Sequence, residues 1–104
     1  MPGEPYVARR HELPAKQPGQ HIECYWDVSL RSFAAVISEE GASTRYGTSP
    51  RQYMRPEQLF AALRGKWAWN EPDEQMVDYL LRCDRERAPQ EPMPPLWADW
   101  RRGR

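Results

Sequence analysis

From Ile22 the chain alternates in character: Ile22, Cys24, Trp26, Val28 and Leu30 are apolar, and Glu23, Tyr25, Asp27, Ser29 and Arg31 fall between them. Successive side chains of a strand point to opposite faces, so a period of two predicts a strand with one buried and one wet face. Phe33, Ala35 and Ile37 repeat the alternation. They predict a second strand after a tight reversal near Arg31-Ser32, ending at Glu39-Glu40-Gly41. The same residues also admit a short helix capped by Ser29, with Phe33, Val36 and Ile37 on one face and Gly41 past its end. Two adjacent glutamates at a helix C-terminus oppose the macrodipole, which favours the hairpin. Ser43-Thr44-Arg45-Tyr46-Gly47 predicts a third short strand, because an isolated hairpin is marginal in water.

After the turn residues Thr48-Ser49-Pro50 the period changes. Leu59, Phe60 and Leu63 share one face of a helix over residues 56–64, with Pro56 in its first turn and Gly65 at its end. A second helix is predicted from an Asn70 cap, with Glu71, Asp73 and Glu74 at the positive end of its dipole. Met76, Val77, Leu80, Leu81 and Cys83 supply its apolar face, Arg82, Arg85 and Arg87 crowd its last turns, and Pro89 closes it. Asp73, Asp78 and Asp84 read as solvated acids of that helix.

Strands grouped before helices predict an α+β domain, in which two helices cover one face of a small antiparallel sheet of two or three strands. At 104 residues the chain holds one domain. Its 11 prolines and 29% charged residues concentrate the core in the middle of the chain. Residues 1–20 hold four prolines and two glycines without apolar periodicity, predicting an extended or disordered arm, with residues 21–88 as the domain. Residues 89–104 form a Pro/Trp-rich tail whose Trp97 and Trp100 call for cover, either on the domain or on another chain, a second copy included.

No apolar run is long enough to span a membrane and the N-terminus lacks a signal-peptide core, so a cytoplasmic location is expected. Cys24 and Cys83 are far apart and form no paired ligand motif, which predicts small core residues. The net charge is zero, yet Arg45, Arg51, Arg55, Arg64 and Lys66 against Glu57 make residues 41–69 a basic block.

Asp27 is a carboxylate set between an aromatic pair and an apolar run. The run Tyr25-Trp26-Asp27-Val28-Ser29-Leu30-Arg31-Ser32 resembles the opening hairpin of the ribonuclease H-like nucleases and transposases, in which the first strand carries a metal-binding aspartate. That resemblance implies divalent-metal phosphodiester chemistry. It covers about a dozen residues, on a chain short for that fold and without an obvious second carboxylate in an apolar setting. On strand parity Asp27 instead shares a wet face with Glu23 and Arg31, available for an ion pair. His11, His21, Cys24 and Cys83 do not make a zinc site, since His21 and Cys24 point to opposite faces of one strand. No catalytic residue, metal site or cofactor is therefore assigned.

The basic block interleaves cations with rings: Arg45, Tyr46, Arg51, Tyr53 and Arg55, then Arg64, Lys66, Trp67 and Trp69. Arg with Tyr or Trp is the composition of protein interface hot spots. It is also the composition that neutralises phosphates and stacks on unpaired bases. A third account has Trp67 and Trp69 closing the core between the helices. The block, with Trp97 and Trp100, is the expected partner-binding surface. The resulting expectation is a small non-catalytic protein-binding accessory or inhibitor module, of the kind found in phages and other mobile elements. Single-stranded nucleic-acid binding through residues 45–69 is the alternative.

Overall fold

A computed structural model describes residues 8–89. Four strands, β1 (His11–Leu13), β2 (His21–Asp27), β3 (Ser32–Glu39) and β4 (Ala42–Tyr46), precede two helices, α1 (Pro56–Ala62) and α2 (Glu71–Arg87). The strands form one antiparallel meander in the order β1-β2-β3-β4. The α+β class holds, with one strand more than the pattern predicted. The extra strand comes from the stretch expected to be an arm. β1 is too short to show a period, and it exists through its pairing with β2 and the burial of Leu13.

Register follows the alternation. Ile22 faces Ile37, Cys24 faces Ala35 and Trp26 faces Phe33 across β2 and β3, and all six are buried. Trp26 and Phe33 meet edge to face at 4.8 Å, a geometry worth about 0.5–1.5 kcal/mol beyond area burial. Leu59 and Phe60 from α1, Leu63 just past its end, and Val77 and Leu81 from α2 complete the core over this face. β3 settles as strand, since every residue from Ser32 to Ile37 is buried and its hydrogen bonds run to both neighbours.

The alternation overran the strand. β2 stops at Asp27, and the reversal occupies Val28 to Arg31, ahead of the expected Arg31-Ser32 position. The Asp27 carboxylate accepts the Leu30 amide at 3.1 Å, so the acid competes with the ladder for its own backbone and ends the strand. Arg31 takes a positive φ of 52° in the turn.

The link from β4 to α1 folds back along the start of β3. Phe33 donates its amide to the Tyr53 carbonyl at 2.8 Å, and the buried Ser32 hydroxyl accepts the Tyr53 amide at 3.0 Å. Gly47 makes this path passable: its φ is +79°, and a Cβ there would lie 2.4 Å from the Phe33 carbonyl oxygen. α1 starts with Pro56, while the Gln58 side chain accepts the Met54 and Arg55 amides. Asn70 caps α2 as expected, its Oδ1 accepting the Asp73 amide at 2.9 Å.

One face of α2 differs from its sequence reading. Met76 is exposed, and Asp84 takes a buried position with Val77, Leu81 and Ala88. Residues 77, 81, 84 and 88 fall on one side at helical spacing, so the helix turns Asp84 into the interior.

Candidate functional site

Two clusters outside the apolar core bring charged side chains together. The first surrounds Asp84, which is fully buried. Its Oδ2 lies 2.6 Å from His11 Nε2, and its Oδ1 lies 3.1 Å from an Arg9 nitrogen and 3.1 Å from Arg87 Nη2. Both carboxylate oxygens are therefore occupied, and the group ties β1 to α2. Cys24, the Cα partner of His11 in the ladder, is buried beside it, and burial pushes its thiol up to about 12. A thiol held neutral is a poor nucleophile. The arrangement functions as an electrostatic clamp, and sequence reasoning missed it because Arg9 and His11 lie more than 70 positions from Asp84.

The second cluster is open. A cleft of about 380 Å³ lies between α1, the loop that follows it and the start of α2. Phe60 and Trp67 form its floor, both buried, with ring centroids 5.9 Å apart. Lys16, Arg64 and Trp69 stand on the rim with Glu57 and Glu74. The arm builds this cleft. Pro14 accepts the Ala68 amide at 2.7 Å and Lys66 accepts the Lys16 amide at 3.1 Å, so residues 14–16 pin the loop that carries Trp67 and Trp69.

The rim acids and rim cations are not equivalent. Glu57 is engaged by Arg82 at 2.7 Å and by Arg55 at 3.4 Å, and Glu74 accepts the indole N–H of Trp69. Among the described residues, Lys16 and Arg64 have no side-chain hydrogen bond or ion pair. Trp69 is 60% exposed. The cleft thus offers an apolar floor, one outward ring, and two cations with their charge unspent.

The expected contact surface divides into three places. Arg64, Trp67 and Trp69 meet at the cleft, with Lys66 on its loop. Arg45 and Tyr46 belong to edge strand β4, and Tyr46 packs partly against the core. Arg51, Tyr53 and Arg55 lie on the link to α1: Arg51 at a positive φ of 54°, Tyr53 packed on the core, and Arg55 at the α1 cap beside Glu57. Trp97 and Trp100 lie outside the described residues. Lys16, Phe60 and Glu74 are cleft residues that the sequence did not single out.

Asp27 is half-buried at the turn, where its carboxylate accepts the Leu30 amide and makes no ion pair with Arg31. Arg31 instead donates to the Pro89 carbonyl, and Glu23 pairs with Arg10 at 3.5 Å. No group of three His, Cys, Asp or Glu side chains able to hold a metal ion occurs among the described residues. No described helix is long and apolar enough to cross a membrane. The chain matches no protein-family model, no curated protein and no solved structure.

Proposed function

We propose that this protein is a non-catalytic protein-binding module, working as an accessory or inhibitor chain. Its contact site is the cleft floored by Phe60 and Trp67, and the partner presents an apolar anchor flanked by carboxylates. The observation that carries this reading is the inequality on the rim, where both acids are engaged and Lys16 and Arg64 are not. An apolar side chain entering the cleft covers the exposed Trp69 ring against a floor of Phe60 and Trp67, which is the anatomy of an interface hot spot. A neighbouring carboxylate then meets a guanidinium able to bind it with two parallel hydrogen bonds.

The nucleic-acid alternative fits less well. Stacking on unpaired bases needs several outward rings along a cationic track. Within the block Trp67 is buried, Tyr46 and Tyr53 are packed against the core, and Trp69 alone is outward.

The test uses the full chain in fluorescence titrations against short peptides pairing Leu or Phe with Glu, and against a single-stranded oligonucleotide over a salt series. Peptide binding that weakens about tenfold or more in both Trp69→Ala and Arg64→Glu supports the site, tenfold corresponding to about 1.4 kcal/mol. Oligonucleotide binding with a steep salt slope, and no peptide binding, refutes the reading.

A further inference from the structure

The cleft at the start of α2 has the chemistry to receive a segment of this same chain. Its floor is apolar, Trp69 stands beside it with most of its ring in water, and Lys16 and Arg64 have no ion pair among the described residues. α2 begins beside the cleft with Glu71 and Asp73. The Gln75 and Asn70 side-chain amides meet these two acids, and no base does among the described residues. The tail carries the matching set in a short run: Leu96 and Trp97, then Asp99 and Trp100, then Arg101 and Arg102. With an indole on the apolar floor, Asp99 answers Lys16 and Arg64, and the two arginines answer Glu71 and Asp73.

The length of the connection fits the same occupant. The described chain ends at the far end of α2, where Ala88 is buried and the Pro89 carbonyl accepts a hydrogen bond from Arg31. From Ala88 back to Glu74 on the cleft rim is fourteen residues of helix, about 21 Å at 1.5 Å per residue. From Pro89 forward to Trp97 is eight residues. They span about 25 Å in the polyproline conformation that Pro92, Pro94 and Pro95 favour. Trp97 is therefore the first ring able to reach the level of Glu74. We propose that the tail segment Leu96-Trp97-Ala98-Asp99-Trp100 docks in the cleft floored by Phe60 and Trp67 of its own chain. A tethered segment acts at an effective concentration on the order of millimolar, so a partner entering the cleft has to displace it. The inference rests on the cleft being a site for apolar segments flanked by carboxylates, as proposed above.

The test uses the full chain with a nitroxide on Gly103→Cys in a Cys83→Ser background, Cys24 being buried. The readout is broadening of the indole N–H signals of the five tryptophans, assigned by single Trp→Phe substitutions. The expected result is preferential broadening of Trp67 and Trp69 over Trp26, which sits under Arg85 near the point where the tail leaves α2. Trp97→Ala with Trp100→Ala should abolish that preference, and so should Arg64→Glu on the cleft side, with the strand amide signals unchanged. The tail double variant should also bind the Leu–Glu peptides at least about tenfold more tightly than the parent, about 1.4 kcal/mol. Broadening weighted towards Trp26 would overturn the proposal. So would broadening that appears only between chains, in a mixture of labelled and unlabelled protein, or peptides that bind the parent and the double variant equally. Peptide binding without broadening at Trp67 and Trp69 removes the tail and keeps the cleft as a partner site. That broadening with no peptide bound by either chain keeps the tail in the cleft and removes the partner.

Discussion

The Asp84 clamp and the Trp69 cleft are built from similar parts and reach opposite ends. Each draws on the segment before β2, Arg9 and His11 for the clamp and Lys16 for the cleft, and each sets basic groups near a carboxylate. In the clamp a fully buried carboxylate is met by three basic groups and both its oxygens are occupied. In the cleft the carboxylates are spent on Arg82, Arg55 and Trp69, and two cations remain over an apolar floor. A buried charge must be paired or it destabilises the fold, whereas an exposed charge costs little to leave unpaired and stays available to a partner. The clamp therefore belongs to stability, and the cleft is where binding is proposed.

Breaking the clamp should give the largest effect. Asp84→Ala removes the common acceptor of Arg9, His11 and Arg87. Deleting one member of a buried ion pair costs about 3–5 kcal/mol when the other stays buried. Here Arg9 and Arg87 are half-exposed and can turn to water, so about 2–3 kcal/mol is expected. In a domain of this size that lowers the thermal midpoint by about 10 °C or more. A midpoint equal to the parent's would remove the clamp from the account of stability.

Next comes the thiol beside the clamp. Cys24 has its pKa raised from 9.0 to about 12 by burial, so the folded state holds this proton more tightly than the unfolded chain. Its contribution is fully present below pH 9.0 and is lost as pH rises towards about 12. Each pH unit in that window removes about 1.4 kcal/mol. Denaturant melts of the parent and Cys24→Ala, compared across this range, should show a steeper alkaline loss in the parent; parallel curves would contradict the burial. A thiol reagent should modify Cys83 readily in the native protein and Cys24 only after unfolding.

Smaller still is Arg82→Ala, which frees Asp78 and releases Glu57 from its closer partner, leaving it with Arg55 at 3.4 Å. Exposed pairs of this kind are worth under about 1 kcal/mol in melts. The released Glu57 should also weaken acidic peptides at the cleft, a sign that a purely structural arginine would not produce. Trp69→Ala should move stability least, within about 0.5 kcal/mol, because the ring is mostly in water. Loss of peptide binding at unchanged stability sharpens the division between the two regions, and a large drop in stability would erase it.

The β2–β3 hairpin, the Asn70 cap and both helices were legible because each rests on a local rule of period or capping. The cleft was half legible. Arg64, Lys66, Trp67 and Trp69 stood out by type, but nothing local separates Trp67, buried against Phe60, from Trp69, turned to solvent two positions later. Asp84 read as a surface acid by composition. Its spacing from Val77 and Leu81 was the available signal, and residue type outweighed it.

By itself the sequence determined the α+β class, the order of strands before helices, the inward set of β2 and β3, and the Asn70 cap, since these follow from side-chain alternation and from interactions a few residues apart. Tertiary structure alone decided that His11–Leu13 becomes an edge strand, that Asp84 is buried under three basic groups, and which rim charges stay unspent. Those outcomes depend on contacts between segments distant in the chain, where burial and charge pairing are fixed by what the fold brings alongside.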